Sequence, residues 1–277
     1  MKNKIMILIS LLFFAFLFGC AQGPVQPKLM ESMVALDRVY IPALLFTDLQ
    51  RQRESELAIE GLKKEWDKFN KKYATLELKY GMDITDKFWQ EDFAKIERLI
   101  VTAEGLVKKG DLSAANNKLA GVRLILKDLR HRHGFEYFLD GLTGFDNSME
   151  GIISYLKGKD KLSDKEVAKL RSLFKEAQSN WSQAAATKVE TELFGFKADK
   201  LAAVNKRVRD EEMMLASLAA ALSGRNPDQI FQTAQDLKPN FIVLYKAFGD
   251  WQPIFDQVVK ERKALDAKEN KDKDKAK

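Results

Sequence analysis

The sequence predicts an all-α protein built from two tandem up-down four-helix bundles, the first with an extra N-terminal helix. Apolar residues recur at alternating steps of three and four along nearly the whole chain, which places them on one face of successive helices. A spacing near 3.5 residues favours the left-handed packing of helical bundles. No segment alternates β-branched and polar residues, so we expect almost no sheet.

Eight apolar stripes follow one another, separated by residues that begin or end helices. The stripes cover residues 59–80, 89–107, 115–129, 138–156, 167–184, 201–222, 230–244 and 251–265. The predicted turn and cap residues are Gly81 with residues 83–86, Gly110 with Asp111, Gly134, the capping box of Ser163 and Glu166, and Asn226 with Pro227. Short connections between stripes predict antiparallel neighbouring helices.

The two halves of the chain align with a constant offset of 115 residues. At this offset Trp66 meets Trp181, and Arg123 meets Lys238. Matching aromatic and basic positions in one register favour tandem duplication of a four-helix unit over the general likeness of helical sequences. Residues 30–58 precede the first stripe, and we expect them to form the extra helix of the first bundle.

The beginning of the chain has the parts of a secretory signal. Lys2 and Lys4 form a basic tip, residues 5–18 are apolar, and Gly19 precedes Cys20. This apolar run is shorter than the about 20 residues that a bilayer-spanning helix needs, which argues against an uncleaved anchor helix. We therefore expect the signal to be removed.

The end of this segment resembles the lipobox of bacterial lipoproteins. Leu17, Gly19 and Cys20 match that pattern, whereas Phe18 is larger than the residue usual at its position. The resemblance implies cleavage before Cys20 and a diacylglyceryl thioether on its sulfur, which makes the lipid bilayer a partner. Ala21 follows where an Asp would retain a lipoprotein in the inner membrane, so the resemblance implies the outer membrane, facing the periplasm.

Composition describes an ordinary globular body with a charged end. The net charge of +6 falls to +4 when Lys2 and Lys4 leave with the signal, and the interleaved charges of the C-terminal tail predict a frayed or disordered segment. We expect no nucleic-acid partner. The predicted divisions are a signal peptide at 1–19, a lipid-anchored tether at 20–29, bundles at 30–158 and 159–262, and a charged tail at 263–277.

Two helix pairs, at residues 103–129 and 216–244, resemble periplasmic four-helix bundles of the cytochrome b and cytochrome c-prime class. Each pair consists of an apolar helix, a turn with glycine and a second helix. The haem ligands of that class have no counterpart, because Cys20 is the single cysteine and the second unit contains no histidine. We therefore predict no cofactor, and keep a haem or metal carrier as the alternative function.

The seam between the two units is the predicted ligand or partner surface, because binding pockets favour domain interfaces. Gly134, Tyr137, Gly141 and Gly144 are the candidate residues, in a segment unusually rich in glycine for a helix. Close helix packing is the competing explanation for these glycines. A hydrolytic enzyme with carboxylates in the seam is a further hypothesis, and it predicts a polar cleft there.

No catalytic or metal motif emerges from the remaining residues, and the expected function is non-enzymatic binding or scaffolding. His131 and His133 lie two positions apart on a helix, so their side chains point to different faces and share a metal poorly. Glu211 falls at a core position of its stripe. We interpret it as solvated, with Met213 and Met214 taking over the buried face.

Overall fold

A computed structural model describes residues 25–74 and 88–275, with side chains for residues 28–74 and 88–268. Helices joined by short connections make up these residues, which contain no strand, and this confirms the all-α prediction. The helices are α1 (Val25–Asp48), α2 (Gln52–Tyr73), α3 (Trp89–Lys108), α4 (Leu112–Arg132), α5 (Phe138–Leu156), α6 (Asp164–Ala186), α7 (Thr191–Phe194), α8 (Ala198–Gly224), α9 (Pro227–Lys246) and α10 (Gln252–Lys275).

Helices α1 to α4 form the first bundle. Each packs against the next, and α4 closes the ring by packing against α1. Short turns at residues 49–51 and 109–111 make α1 and α2, and α3 and α4, antiparallel pairs. The apolar stripes face inward, so that Trp66, Trp89 and Leu119 are fully buried. Hydrophobic burial along these stripes therefore holds the four helices together.

Helices α5, α6, α8 and α9 form the second bundle with the same order of neighbours. The short α7 lies in the connection between α6 and α8. The 115-residue offset pairs α2 with α6 and α4 with α9, which are the second and fourth helices of each ring. The predicted repeat thus aligns helices that occupy the same position in the two bundles.

The predicted boundary between the bundles, at residues 158 and 159, is wrong, because it assigns α5 to the first bundle and α10 to the second. Helix α5 packs against α6 and α9 in the second bundle, while the expected extra N-terminal helix, α1, is the first helix of the first bundle. The 251–265 stripe, in α10, packs against α2 instead of entering the second core. Phe255 and Leu265 of this stripe remain 45% and 60% exposed.

Most predicted helix ends are found in place. Asp111 accepts a hydrogen bond from the Ala114 amide, and Ser163 and Glu166 complete their capping box. Asn226 caps α9, which begins with a proline. Each cap satisfies amide groups that the first helical turn leaves unpaired.

At both ends of the described chain the structure corrects the prediction, because helices replace the predicted tether and the predicted frayed tail. Helix α1 already begins at Val25, and Leu29 is fully buried, so residues 25–29 are not a tether. Pro27 is tolerated there because the first turn of a helix needs no amide hydrogen. Pro42 lies inside α1, and α10 extends the helix to Lys275 through the predicted tail.

Several predictions fall outside the described residues: the signal, Cys20, and the turn at Gly81 with residues 83–86. Within residues 25–74 and 88–275, none of the helices has both the length and the apolar character that crossing a bilayer requires.

Candidate functional site: the cleft between the bundles

The two bundles meet along a seam where α1 and α4 face α5 and α9. These are the first and fourth helices of each ring. A cleft of about 300 Å³ opens between them, and we call it the seam cleft. Its lining residues are Leu44, Leu45 and Asp48 of α1, Asn116, Asn117, Ala120 and Arg123 of α4, Asp146, Asn147 and Glu150 of α5, and Lys238, Phe241, Ile242 and Tyr245 of α9.

The seam cleft takes residues from corresponding helices of the two bundles. Helices α1 and α5 each contribute three residues with the same spacing, at positions i, i+1 and i+4. Arg123 of α4 and Lys238 of α9, which the 115-residue offset pairs in the sequence, both line it. The two positions that the offset pairs therefore place two cations at one site.

Arg123 is the deepest charged group of the cleft. Its side chain is only 6% exposed, and its Nη2 lies 2.5 Å from Oδ2 of Asp146. The guanidinium carbon lies 5.7 Å from the ring centroid of Tyr245. The Nε of Arg123 is buried and has no hydrogen-bond partner, although burying a donor without an acceptor costs free energy. Because this atom is buried, it is not accessible to a ligand in the cleft.

Lys238 stands at the more exposed side of the cleft. Its Nζ lies 2.8 Å from Oε1 of Glu150 and 3.7 Å from Oδ2 of Asp48, so it links the two bundles. Partial burial disfavours the charged form, but the hydrogen bond to Glu150 and both carboxylates outweigh it and raise the pKa of Lys238. Both cations of the cleft are thus paired with carboxylates.

Asparagines and aromatic rings complete the lining. The amide of Asn116 donates to the Leu44 carbonyl, at 2.8 Å, and is committed to the fold. Asn117 and Asn147 are exposed at the mouth, and neither amide forms a hydrogen bond to the described part of the chain. Phe241 and Tyr245 stack with centroids 5.7 Å apart, but they are only 3% and 2% exposed and offer little surface to the cleft.

A second group of charged side chains is largely buried where the two bundles meet; we call it the arginine cluster. Arg130, 2% exposed, donates through Nε and Nη2 to both carboxylate oxygens of Asp140, at 2.8 and 2.5 Å. Its Nη1 lies 3.7 Å from Oδ2 of Asp37, and its guanidinium lies over the Tyr137 ring. Burial raises the pKa of Asp37 to about 6, against the opposing charge of Arg130. The cluster joins α1, α4 and α5.

None of the four predicted surface residues lines the seam cleft. Gly134 lies in the turn after α4 with φ +70, and Tyr137 is buried in the arginine cluster. A Cβ built on Gly141 would lie 2.6 Å from Cα of Ala184, so this glycine permits the close approach of α5 to α6. The Gly144 carbonyl accepts a hydrogen bond from α6.

The four predicted residues therefore belong to the turn after α4, the arginine cluster and the contact between α5 and α6. Helix α5 lines the cleft with other residues: Asp146, Asn147 and Glu150. One feature of the sequence could have located the cleft: the 115-residue offset pairs Arg123 with Lys238, and both residues line it. The polar cleft that the hydrolase hypothesis required is present.

The interpretation of Glu211 as solvated is wrong. Its side chain is fully buried, whereas Met213 is 61% exposed. The Asn240 amide donates to Oε2 at 2.6 Å, and Oε1 has no partner. Burial raises the pKa of Glu211 to about 7. The predicted apolar stripe of α8 stays on the buried face, because rotating the helix to bury Met213 would expose Leu215 and Leu218, which are buried.

The histidines do not come together at a site. His131 is exposed, and His133 packs edge-on against Trp89 with ring centroids 5.3 Å apart. In the part of the chain that the structure describes, no three His, Cys, Asp or Glu side chains converge in a way that could hold a metal ion.

No family of known proteins matches the chain, and no curated protein and no solved structure is significantly similar to it. The residues of the seam cleft are therefore the basis for inferring the function of the chain.

Proposed function

We propose that this protein is an envelope lipoprotein, anchored through Cys20, whose two bundles bind a small ligand non-enzymatically in the seam cleft. The observation that carries the proposal is the cleft itself, a polar cavity between the two bundles whose lining includes the exposed side chains of Asn117 and Asn147. Binding sites combine an apolar wall with a few fixed polar groups, and the cleft has this composition.

The carboxyls of the cleft favour binding over acid–base catalysis. General acids and bases need a pKa near the working pH and access to the substrate. The carboxyls whose pKa burial raises are Asp37, Glu190 and Glu211, and none of them lines the cleft. Within the cleft, Asp146 and Glu150 are held in ion pairs with cations.

The lipobox-like residues support the anchor. If Cys20 carries the lipid, only residues 21–24 separate it from α1. Four extended residues span about 14 Å at most, so the first bundle would be held close to the bilayer surface. Two acyl chains suffice for stable attachment.

The anchor is tested by replacing Cys20 with Ser and expressing the full chain in its bacterial host. We expect wild-type protein in the membrane fraction with a lipid-modified Cys20 at its N-terminus by mass spectrometry, and variant protein without lipid and released from the membrane. A variant that stays in the membrane, or an unmodified wild-type Cys20, contradicts the anchor.

Ligand binding is tested by native mass spectrometry of protein purified from its host. We expect a retained small molecule that is lost when Asn117 and Asn147 are both changed to Ala, and kept when the exposed Asn205 of α8 is changed to Ala. A protein without a bound molecule, or one whose binding ignores the cleft variants, contradicts the proposal. A Soret band in the same preparation would favour the haem-carrier alternative.

A further inference from the structure

We infer that the connection between α6 and α8 is a latch across the two bundles, and that it opens when the partly buried carboxyl of Glu190 loses its proton. Residues 187–197, which include the short α7, form this latch. Three features of the molecule support its role: the latch has few anchors, it contacts both bundles, and Glu190 faces charged groups of the arginine cluster.

The latch is held in place by few side chains. Within it only Val189 and Phe194 are buried. Its helix, α7, has four residues, and a single helical turn is not stable without tertiary contacts. Segments with few buried contacts open at a lower free energy than the core of a protein. The latch can therefore open while both bundles stay folded.

The contacts of Phe194 join the latch to both bundles. Its ring stacks on Tyr137, in the turn that links α4 to α5, with centroids 5.9 Å apart. The same ring meets Phe248, which follows α9, edge-on at 4.9 Å. From α1, Nη2 of Arg38 donates to the Phe194 carbonyl at 2.7 Å. Opening the latch therefore also removes a link between the two bundles.

Glu190 is the one charged residue of the latch that is partly buried. The others are exposed: Lys188, Glu192 and Lys197. Its Oε2 is buried and has no hydrogen-bond partner. The charged groups that act on it are Arg130 of α4 and Asp140 of α5. Arg130 already donates to both carboxylate oxygens of Asp140, and no cation of the described residues forms an ion pair with Glu190.

Ionisation of Glu190 adds a third carboxylate around one buried guanidinium, because Oδ2 of Asp37, from α1, already lies 3.7 Å from Nη1 of Arg130. Burial raises the pKa of Glu190, and the charge of Asp140 adds to this. Hydrogen bonds from the backbone of Glu190 and Phe138, and the charge of Arg130, oppose the rise only in part. The closed latch therefore holds a proton that the open latch releases, so closure is favoured at low pH and lost as the pH rises.

Hydrogen exchange of the purified full chain tests the latch. The amides of Phe194, Gly195 and Phe196 donate to carbonyls within it, so their protection reports on its closed state. We expect their protection factors to fall between pH 5 and pH 8, by at most about tenfold per pH unit because opening releases one proton. The amide of the fully buried Leu170, in α6, should stay better protected, since it exchanges only when the bundle unfolds.

Three variants identify the groups that act on the latch. Glu190→Gln should keep the latch closed, with protection factors constant within twofold across this pH range. Glu192→Gln, at the exposed position two residues away, should retain the wild-type pH dependence. Arg38→Met removes the hydrogen bond to the Phe194 carbonyl and should lower the protection of the latch several-fold at every pH.

A wild-type latch whose protection is independent of pH, or a pH dependence that persists in Glu190→Gln, overturns the inference. Exchange of the latch no faster than that of Leu170 also overturns it, because the latch would then open only when the protein unfolds. Unchanged protection in Arg38→Met would overturn the link between α1 and the latch.

Discussion

The buried carboxyl of Glu211 makes the stability of this protein depend on pH between about 4.5 and 7. Burial raises its pKa, so the folded protein keeps a proton that the unfolded chain releases in this range. The contribution of the group to stability is full below pH 4.5 and is lost as the pH rises through 7. Replacing Glu211 by Gln mimics the protonated carboxyl and removes this loss.

The size of the effect follows from the two pKa values. The difference between about 7 and 4.5 corresponds to about 3 kcal/mol, at 1.36 kcal/mol per pH unit. We expect Glu211→Gln to be about 3 kcal/mol more stable than the wild type at pH 8 and nearly equal to it at pH 4. Asp37, whose pKa is also raised, is present in both proteins and cancels in the difference.

The free energy of unfolding is measured by urea denaturation at pH 4, 6 and 8. The control is Glu212→Gln, at the exposed neighbouring position, which should change stability by less than about 0.5 kcal/mol at each pH. The reasoning is refuted if Glu211→Gln is destabilising at pH 8, or if its effect is the same at pH 4 and pH 8.

Two further predictions concern packing and the arginine cluster. Gly141→Ala should lower the free energy of unfolding by about 1–3 kcal/mol, because its Cβ would lie 2.6 Å from Cα of Ala184; Gly151→Ala, with nothing within 4 Å of its Cβ, should be neutral or stabilising by up to about 1 kcal/mol. Arg130→Met should cost about 3–5 kcal/mol at pH 7, because it removes the cation from the buried Asp37 and the partly buried Asp140.

Thermal and urea denaturation measure the stability of the two glycine variants and of Arg130→Met. The two glycine variants control for each other, since both lie in α5 and gain the same helix propensity; equal effects would mean that α5 and α6 do not approach closely. The loss in Arg130→Met should shrink at pH 4, where the carboxylates become protonated. A loss below about 1 kcal/mol at pH 7 would show that the cluster is not buried.

The helices themselves could be predicted from the sequence with little error. The stripe that includes Trp66 is buried in α2 as far as the described residues extend, and Ser163 and Asn226 begin their helices as predicted. The reason is local: side-chain periodicity and caps act within one or two turns of the same helix. Glu211 was misjudged because a single charged residue in an apolar stripe does not reveal whether its surroundings can hold it.

The seam cleft was only partly predictable. The sequence indicated a site between two repeated units, and the 115-residue offset already paired Arg123 with Lys238. The glycines chosen from composition, including Gly141, serve helix packing instead. Which residues of α5 face α6 and which face α4 depends on how the helix is rotated in its bundle, and the sequence of α5 does not state that rotation.

The sequence alone was enough to predict that the described body is helical and where most of its helices begin, because those properties depend on neighbours along the chain. Only the tertiary structure decided that α1 and not α5 completes the first bundle, that α10 returns to α2, and that four helices enclose a polar cleft. Any amphipathic helix can satisfy several apolar grooves, so the partner is selected by the area that all the helices bury together.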